Sequence, residues 1–287
     1  MQNGWCMNLR GRIVDHRIKR AACGAGLAAF IVVLSGCRLD TKGQDSILAA
    51  FQGPSVGDAA LMAVDPYSAD NRYKGTLIIG SQPFAGEELY MRLFLANIND
   101  PDPRVRIASM RAIANHGRPE HAPLLINGLS HPDALVRIEA ARGLQRLYNE
   151  DAIDPLVIAS KEPDLEKPEE PAETSAAVRV EAVDALGQYA DDRCVQALVA
   201  ALNDSDLAVN RAAQNSLRTL TGQDFGLSQR QWLDWYEDTK SPFANRAVYE
   251  YNAFSRPKKW YEHIPFVPPP PNEPTSSPNG YPLGGVK

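Results

Sequence analysis

Between residues 102 and 220 one short phrase recurs four times, and the recurrence limits the chain to a narrow set of architectures. It reads Val105-Arg106-Ile107-Ala108-Ser109, then Val136-Arg137-Ile138-Glu139-Ala140, then Val178-Arg179-Val180-Glu181-Ala182, then Val209-Asn210-Arg211-Ala212-Ala213. The steps are 31, 42 and 31 residues, the middle one being a period plus an 11-residue insertion. Self-similarity at a fixed period of this size marks a solenoid, in which each unit buries its apolar face only against its neighbours.

Counting from each Val as zero, offset 4 is Ser109, Ala140, Ala182 and Ala213, and offset 8 is Ile113, Leu144, Leu186 and Leu217. Offset 7 is Ala112, Gly143, Ala185 and Ser216, and offset 11 is His116, Leu147, Tyr189 and Leu220. At about 100° per residue these positions share one arc of a helix, small side chains flanked by aliphatic ones. Apolar helical stretches precede the phrases at 89–98, 122–129, 153–159 and 195–202. The turns between them (99–102, 130–133 and 203–206) offer Asp and Ser as helix caps and Pro for a first turn. The chain is therefore expected to be all-α, an α-solenoid of antiparallel helix pairs with a period of about 31 residues.

The pattern Asp-x-x-x-Val-Arg-x-x-Ala-x-x-Ala-Leu-Gly, matched best at 178–187, resembles the short HEAT-type repeat, also called the phycocyanobilin-lyase HEAT-like repeat. The resemblance spans 87–238, within a repeat region placed at 87–240. Asn210 in place of Arg and His131 where sister turns carry Asp depart from it. It implies that Arg106, Arg137 and Arg179 pair with turn acids, here Asp102, Asp133 or Asp206. It also implies that the phrase helices line the concave side. There, offsets 2 and 5 carry Ile107, Met110, Ile138, Ala141, Val180 and Val183 before Arg211 and Gln214 end the run. A strip of this kind is expected to be covered, by a partner's segment or by the chain's own tail at 249–267, unless tighter stacking buries it between units.

Residues 1–36 carry Arg10, Arg12, Arg17, Lys19 and Arg20, then an apolar run at 21–34 that ends in Leu34-Ser35-Gly36-Cys37. A basic opening, a short apolar core and small residues before the break make a signal peptide, with Met7 an alternative start. Leu-Ser-Gly-Cys resembles the bacterial lipobox, which implies cleavage before Cys37 and lipid on that residue. Arg38, in place of the Asp that often retains such lipoproteins in the inner membrane, favours the outer membrane if the cell has two. Residues 37–55 read as a flexible tether reaching roughly 20–25 Å. Residues 56–86 read as a degenerate capping repeat, in which Asp65-Pro66 breaks a first helix, Ser68 caps a second, and Asn71-Arg72 takes the Val-Arg place. The rival is a strand at 75–79.

After residue 36 there are 25 basic and 34 acidic side chains, a net charge of −9, which argues against a nucleic-acid binder. Cys6, Cys23, Cys37 and Cys194 make no disulfide framework. No nucleophile elbow, P-loop or dinucleotide fingerprint appears, and His116, His121 and His131 lack a carboxylate placed to complete a metal triad; no catalytic residue, metal or cofactor is expected. The insertion at 161–175 is acid- and Pro-rich and reads as a solvated loop or an acidic docking loop. Phe225 leads into a helix whose Trp232, Trp235 and Tyr236 share a face, expected to seal the array's end, the alternative being an aromatic ligand platform. In the tail, 241–287, the large apolar residues up to Val267 should lie on something, and 268–271 and beyond read as polyproline II and then disorder. The expected function is a lipid-anchored, non-enzymatic protein-binding scaffold of the bacterial envelope. The alternatives are a lyase- or chaperone-like activity, as in the bilin lyases that share the repeat, and a cell-wall polysaccharide module.

Overall fold

The computed structural model describes residues 54–253, 256–264, 267 and 275–282. Cys37, the signal segment, most of the tether and 268–271 lie outside them. Apart from Pro54 the described residues belong to one compact unit, Ser55–Lys287.

Among these residues there are eleven α-helices and no strand. They pair as α1 (Val56–Ala63) with α2 (Ala69–Gly80), α3 (Glu88–Asn97) with α4 (Pro103–His116), and α5 (Ala122–Gly128) with α6 (Ala134–Leu144). Then come α7 (Ile153–Ser160) with α8 (Ala176–Leu186) and α9 (Asp192–Ala201) with α10 (Leu207–Thr221), before α11 (Gln229–Asp238) packs on α9. The second helices touch in series, α2 on α4 on α6 on α8 on α10. This is the α-solenoid that the period predicts.

The repeat register is the packing register. Val105, Val136, Val178 and Val209 are fully buried, as are Ile113, Leu144, Leu186 and Leu217 at offset 8. Small residues at offset 4 let the helices of a pair approach, and the aliphatic ones fill the space beside them. Asp102, Asp133 and Asp206 cap α4, α6 and α10 by accepting the N–H groups of Arg104, Leu135 and Ala208 at 2.8–2.9 Å. Each cap satisfies one of the donors a helix start leaves open.

The stretch 75–79 is helical, not extended, because Ser68 caps α2 by accepting from Asn71 N at 3.2 Å. Gly75 lets α1 and α2 touch: a Cβ there would sit 2.4 Å from Ala59 O and Ala63 N. Two expectations about polar segments need correction. The 161–175 insertion is not simply solvated. Glu173 is only 6% exposed, its N–H bonds Lys161 O at 2.9 Å, and Glu162 accepts from Ser205. Leu165 at its tip stays 96% exposed. Nor is the far tail featureless: Tyr281 is buried, and Asn279 forms an isolated bridge with Leu147.

Candidate functional site

Three of the four arginines in the Val-Arg place, Arg72, Arg137 and Arg179, are doubly engaged. Arg179 Nη1 donates to Glu173 O (2.9 Å) in its own turn, while Nε and Nη2 fork onto Asp204 at 2.7 and 2.9 Å in the next unit's turn. Arg137 repeats this with His131 O (2.8 Å) and Glu173 (2.6 and 2.9 Å). Arg72 repeats it with Asp65 O (3.0 Å) and Asp100 (2.6 and 3.0 Å), which makes α1–α2 a unit of the same array. The partners are therefore not Asp102, Asp133 or Asp206, whose carboxylates cap helices. They are the residues two places earlier, one unit onward. Each of those also accepts the N–H of the cap residue, at 2.8 Å in all three turns.

At the junction between the second and third units this slot holds His131. Its Nδ1 accepts from Asp133 N at 3.0 Å, so the turn bond survives, but no carboxylate faces Arg106. Arg106 keeps its bonds to the carbonyls of Asp100 and Pro101, while its Nε is buried without a hydrogen-bond partner. Asn210, in the last pair, likewise bonds its own turn at Asp204 O (3.1 Å) and has no later pair to clamp. His131→Asp is expected to complete the missing fork and raise stability by about 1 kcal/mol, read as a higher urea midpoint. An unchanged or lower midpoint would show that the orphan nitrogen costs nothing there.

The phrase helices also carry a second ladder. Arg111 forks onto Glu139 at 2.9 and 2.7 Å, Arg142 bonds Glu181 and lies 3.8 Å from Glu139, and Gln145 adds a 2.8 Å bond to Glu181. Arg146 reaches back to Asn115 at 2.6 Å. Between these groups is a depression of about 400 Å³ lined by Arg111, Asn115, Glu139, Arg142, Arg146 and Asn252. Offsets 3 and 6 supply the charged rungs of the ladder.

The candidate apolar strip beside the ladder is a stacking seam for half its residues. Met110, Ala141 and Val183 are at most 4% exposed. Met110 packs on the next unit, where its Cε would be 2.6 Å from a Cβ on Gly128. Ile107, Ile138 and Val180 are half-buried against the core, Gln214 is half-buried and bonds Asp224 at 3.1 Å, and Arg211 is exposed. A helix with a neighbour on each side has only a narrow free arc, so offset 5 turns into the next unit.

The tail runs back along the array, across the C-terminal ends of the phrase helices. Ala247 N bonds Thr219 O at 2.8 Å, Asn252 donates to Asp184 at 3.2 Å, and Arg146 lies over the Tyr251 ring at 4.6 Å. Residues 251 and 276 are then joined by the Tyr251 N to Ser276 O bond and a side-chain bond of 2.6 Å. Asn279 bonds Arg146 O, Tyr148 N and Gly117 O at 2.8–2.9 Å. Tyr249 is buried beside Asp184, whose carboxyl is pushed up to about 7 by burial, then by the Glu181 charge. The contacts of 247–252 thus fall on Thr219, Asp184 and Arg146, while Trp260 and Ile264 stand exposed instead of lying on the array.

At the array's end Trp232 is fully buried, edge-on to Phe225 (4.9 Å) and Trp235 (6.2 Å), with Nε1 donating to Gly226 O at 3.0 Å. Tyr236 donates to Asp192. A glycan platform needs the Trp232 face open, and here it is a core face. Among the described residues no group of three or more His, Cys, Asp or Glu is arranged to hold a metal. His116 Nε2 lies 2.9 Å from Gly80 O, and His121 Nδ1 accepts from Arg118 N.

Residues 91–167 and 171–226 match the family model of HEAT repeats. Among solved structures, the YibA protein of E. coli is 20% identical with a TM-score of 0.45, covering 64% of this chain and 68% of that one. The CpcE–CpcF complex of phycocyanin lyase from Nostoc is also 20% identical, with a TM-score of 0.38 and coverage of 62% and 79%. A designed armadillo repeat protein is 14% identical, with a TM-score of 0.45 and coverage of 65% and 93%. No curated protein matches the chain.

Proposed function

We propose that this HEAT-repeat chain is a lipid-anchored scaffold of the bacterial envelope, holding an acidic segment of another protein against the free face of its phrase helices. The observation that carries the reading is the depression between α4 and α6, where Arg111, Arg142 and Arg146 converge with Asn115 and Asn252. The three guanidiniums outnumber the two carboxylates that Arg111 and Arg142 hold, Glu139 and Glu181, which leaves a cationic surplus that suits a partner's carboxylate groups. A repeat solenoid offers its partner a long, pre-formed surface, and such surfaces serve protein binding. The anchor rests on Leu34-Ser35-Gly36-Cys37 and the basic, then apolar, segment before it. In a cell with two membranes, Arg38 directs the protein to the outer one. The working part of the molecule is a contact surface, without a catalytic group.

A photo-crosslinker placed at Asn115 in the producing cell is expected to give one discrete protein adduct, and one at Leu89, exposed on α3, is not. The adduct should vanish when Arg111→Glu and Arg146→Glu are combined. Equal adducts from both positions, or an adduct indifferent to the two substitutions, would sink the partner reading. Metabolic labelling with palmitate tests the anchor separately: label that persists in Cys37→Ser removes it.

A further inference from the structure

We infer that the one-turn helix Trp260–His263 is a membrane-interface contact that seats on anionic lipid headgroups. The turn is built locally, around one carboxylate. Arg256 forks onto Glu262, with Nη1 to Oε2 at 2.8 Å, and the Lys259 N–H bonds the same carboxylate at 2.7 Å. Glu262 is thereby buried to 8% exposure while its neighbours are thrust outward, Trp260 at 80%, Ile264 at 50% and Tyr261 at 38%. The aromatic rings meet edge-on at 5.9 Å, and Lys259 Nζ sits 5.9 Å from the Tyr261 ring centre. A side chain that merely failed to find a place in the core would not be presented by its own ion-paired turn.

The charge identifies the surface. The segment 256–264 holds Arg256, Lys258 and Lys259 against the single acid Glu262, whereas everything after residue 36 sums to −9. A cationic turn on an anionic protein selects a negatively charged counterpart. Trp and Tyr beside lysines is the combination that settles at headgroup depth, rings at the acyl boundary and ammonium groups among phosphates. One turn offers far less than the ~800 Å² per partner that a stable protein interface needs. A bilayer asks for no shape complementarity, so one turn is enough. The site stands whether or not Cys37 is acylated and does not involve the depression at Arg142.

The test uses the full chain on vesicles of phosphatidylcholine with and without one-quarter phosphatidylglycerol, each containing acyl-brominated lipid. Bromine quenches only indoles at the acyl boundary, so Trp260→Phe isolates the contribution of this ring from those of Trp5, Trp232 and Trp235. Quenching on the anionic vesicles is expected to exceed that of Trp260→Phe, and the excess should disappear on phosphatidylcholine alone. Lys258→Gln with Lys259→Gln should weaken the partitioning of this ring at least tenfold, at about fivefold per lysine. Identical quenching in wild type and Trp260→Phe overturns the assignment. So does an excess that is the same on both lipids. Protection of Trp260 by soluble polyglutamate, without quenching by vesicles, overturns it in favour of an acidic protein.

Discussion

Asp204→Ala is expected to lower the stability of the array by about 3–5 kcal/mol. The substituted carboxylate is 1% exposed and its guanidinium partner, Arg179, 4%, so truncation leaves a buried cation facing an apolar gap. Glu162, 3.9 Å from Arg179, is too distant and too exposed to replace the fork. Losing the turn bond from Asp206 N to Asp204 adds to the cost. Urea unfolding measures the loss, and hydrogen exchange should place it first in α9 and α10. For contrast, Lys74→Ala, which removes an exposed i,i+4 partner of Asp70, should change stability by less than about 0.5 kcal/mol. Should the two substitutions cost the same, the clamp between units is not what holds α8 to α10. Arg179→Met with Asp204→Leu is expected to recover most of the loss, since two apolar groups leave nothing unpaired.

Asp184→Asn works in the opposite direction and depends on pH. The carboxyl titrates near 7 in the folded chain and near its ordinary value of 3.8 when unfolded, because burial and then Glu181 oppose its charge. A raised pKa means that its contribution is intact below about 4 and is lost as pH rises through 7. At pH 8 the folded chain must hold an anion under Tyr249 and Asn252, and the asparagine removes that burden. The variant should be more stable than wild type by on the order of 2–4 kcal/mol at pH 8 and equal to it at pH 4. Thermal melts across that range give the answer. A gap that does not change with pH would mean that Asp184 is charged in both states or in neither.

What the sequence disclosed and what it hid divide along the range of the interactions. The core was legible because Val105, Val136, Val178 and Val209 recur at a period that converts directly into helix faces, and all four are buried. The caps were legible because Asp102, Asp133 and Asp206 act on N–H groups two residues away. The arginine partners were misplaced because the bond crosses to the next unit, and at Glu173 the partner sits at the end of an insertion whose composition reads as solvent-facing loop. The Arg111–Glu139–Arg142–Glu181 ladder left a usable signal. Offset 6 reads Arg, Arg and offset 3 reads Glu, Glu in consecutive phrases, opposite charges on neighbouring helices. Asn279 left none, since two main-chain bonds and one amide have no periodicity to betray them.

The fastening at Asn279 also bears on the order in which the protein comes into being. A linear stack can close unit by unit as it leaves the ribosome, each pair needing only its predecessor. Here Asn279 reaches Gly117 and Arg146, which emerged well over a hundred residues earlier. The array is thus latched by a segment made long after the units it joins, and a nascent chain stays open at that seam until residue 279 has emerged.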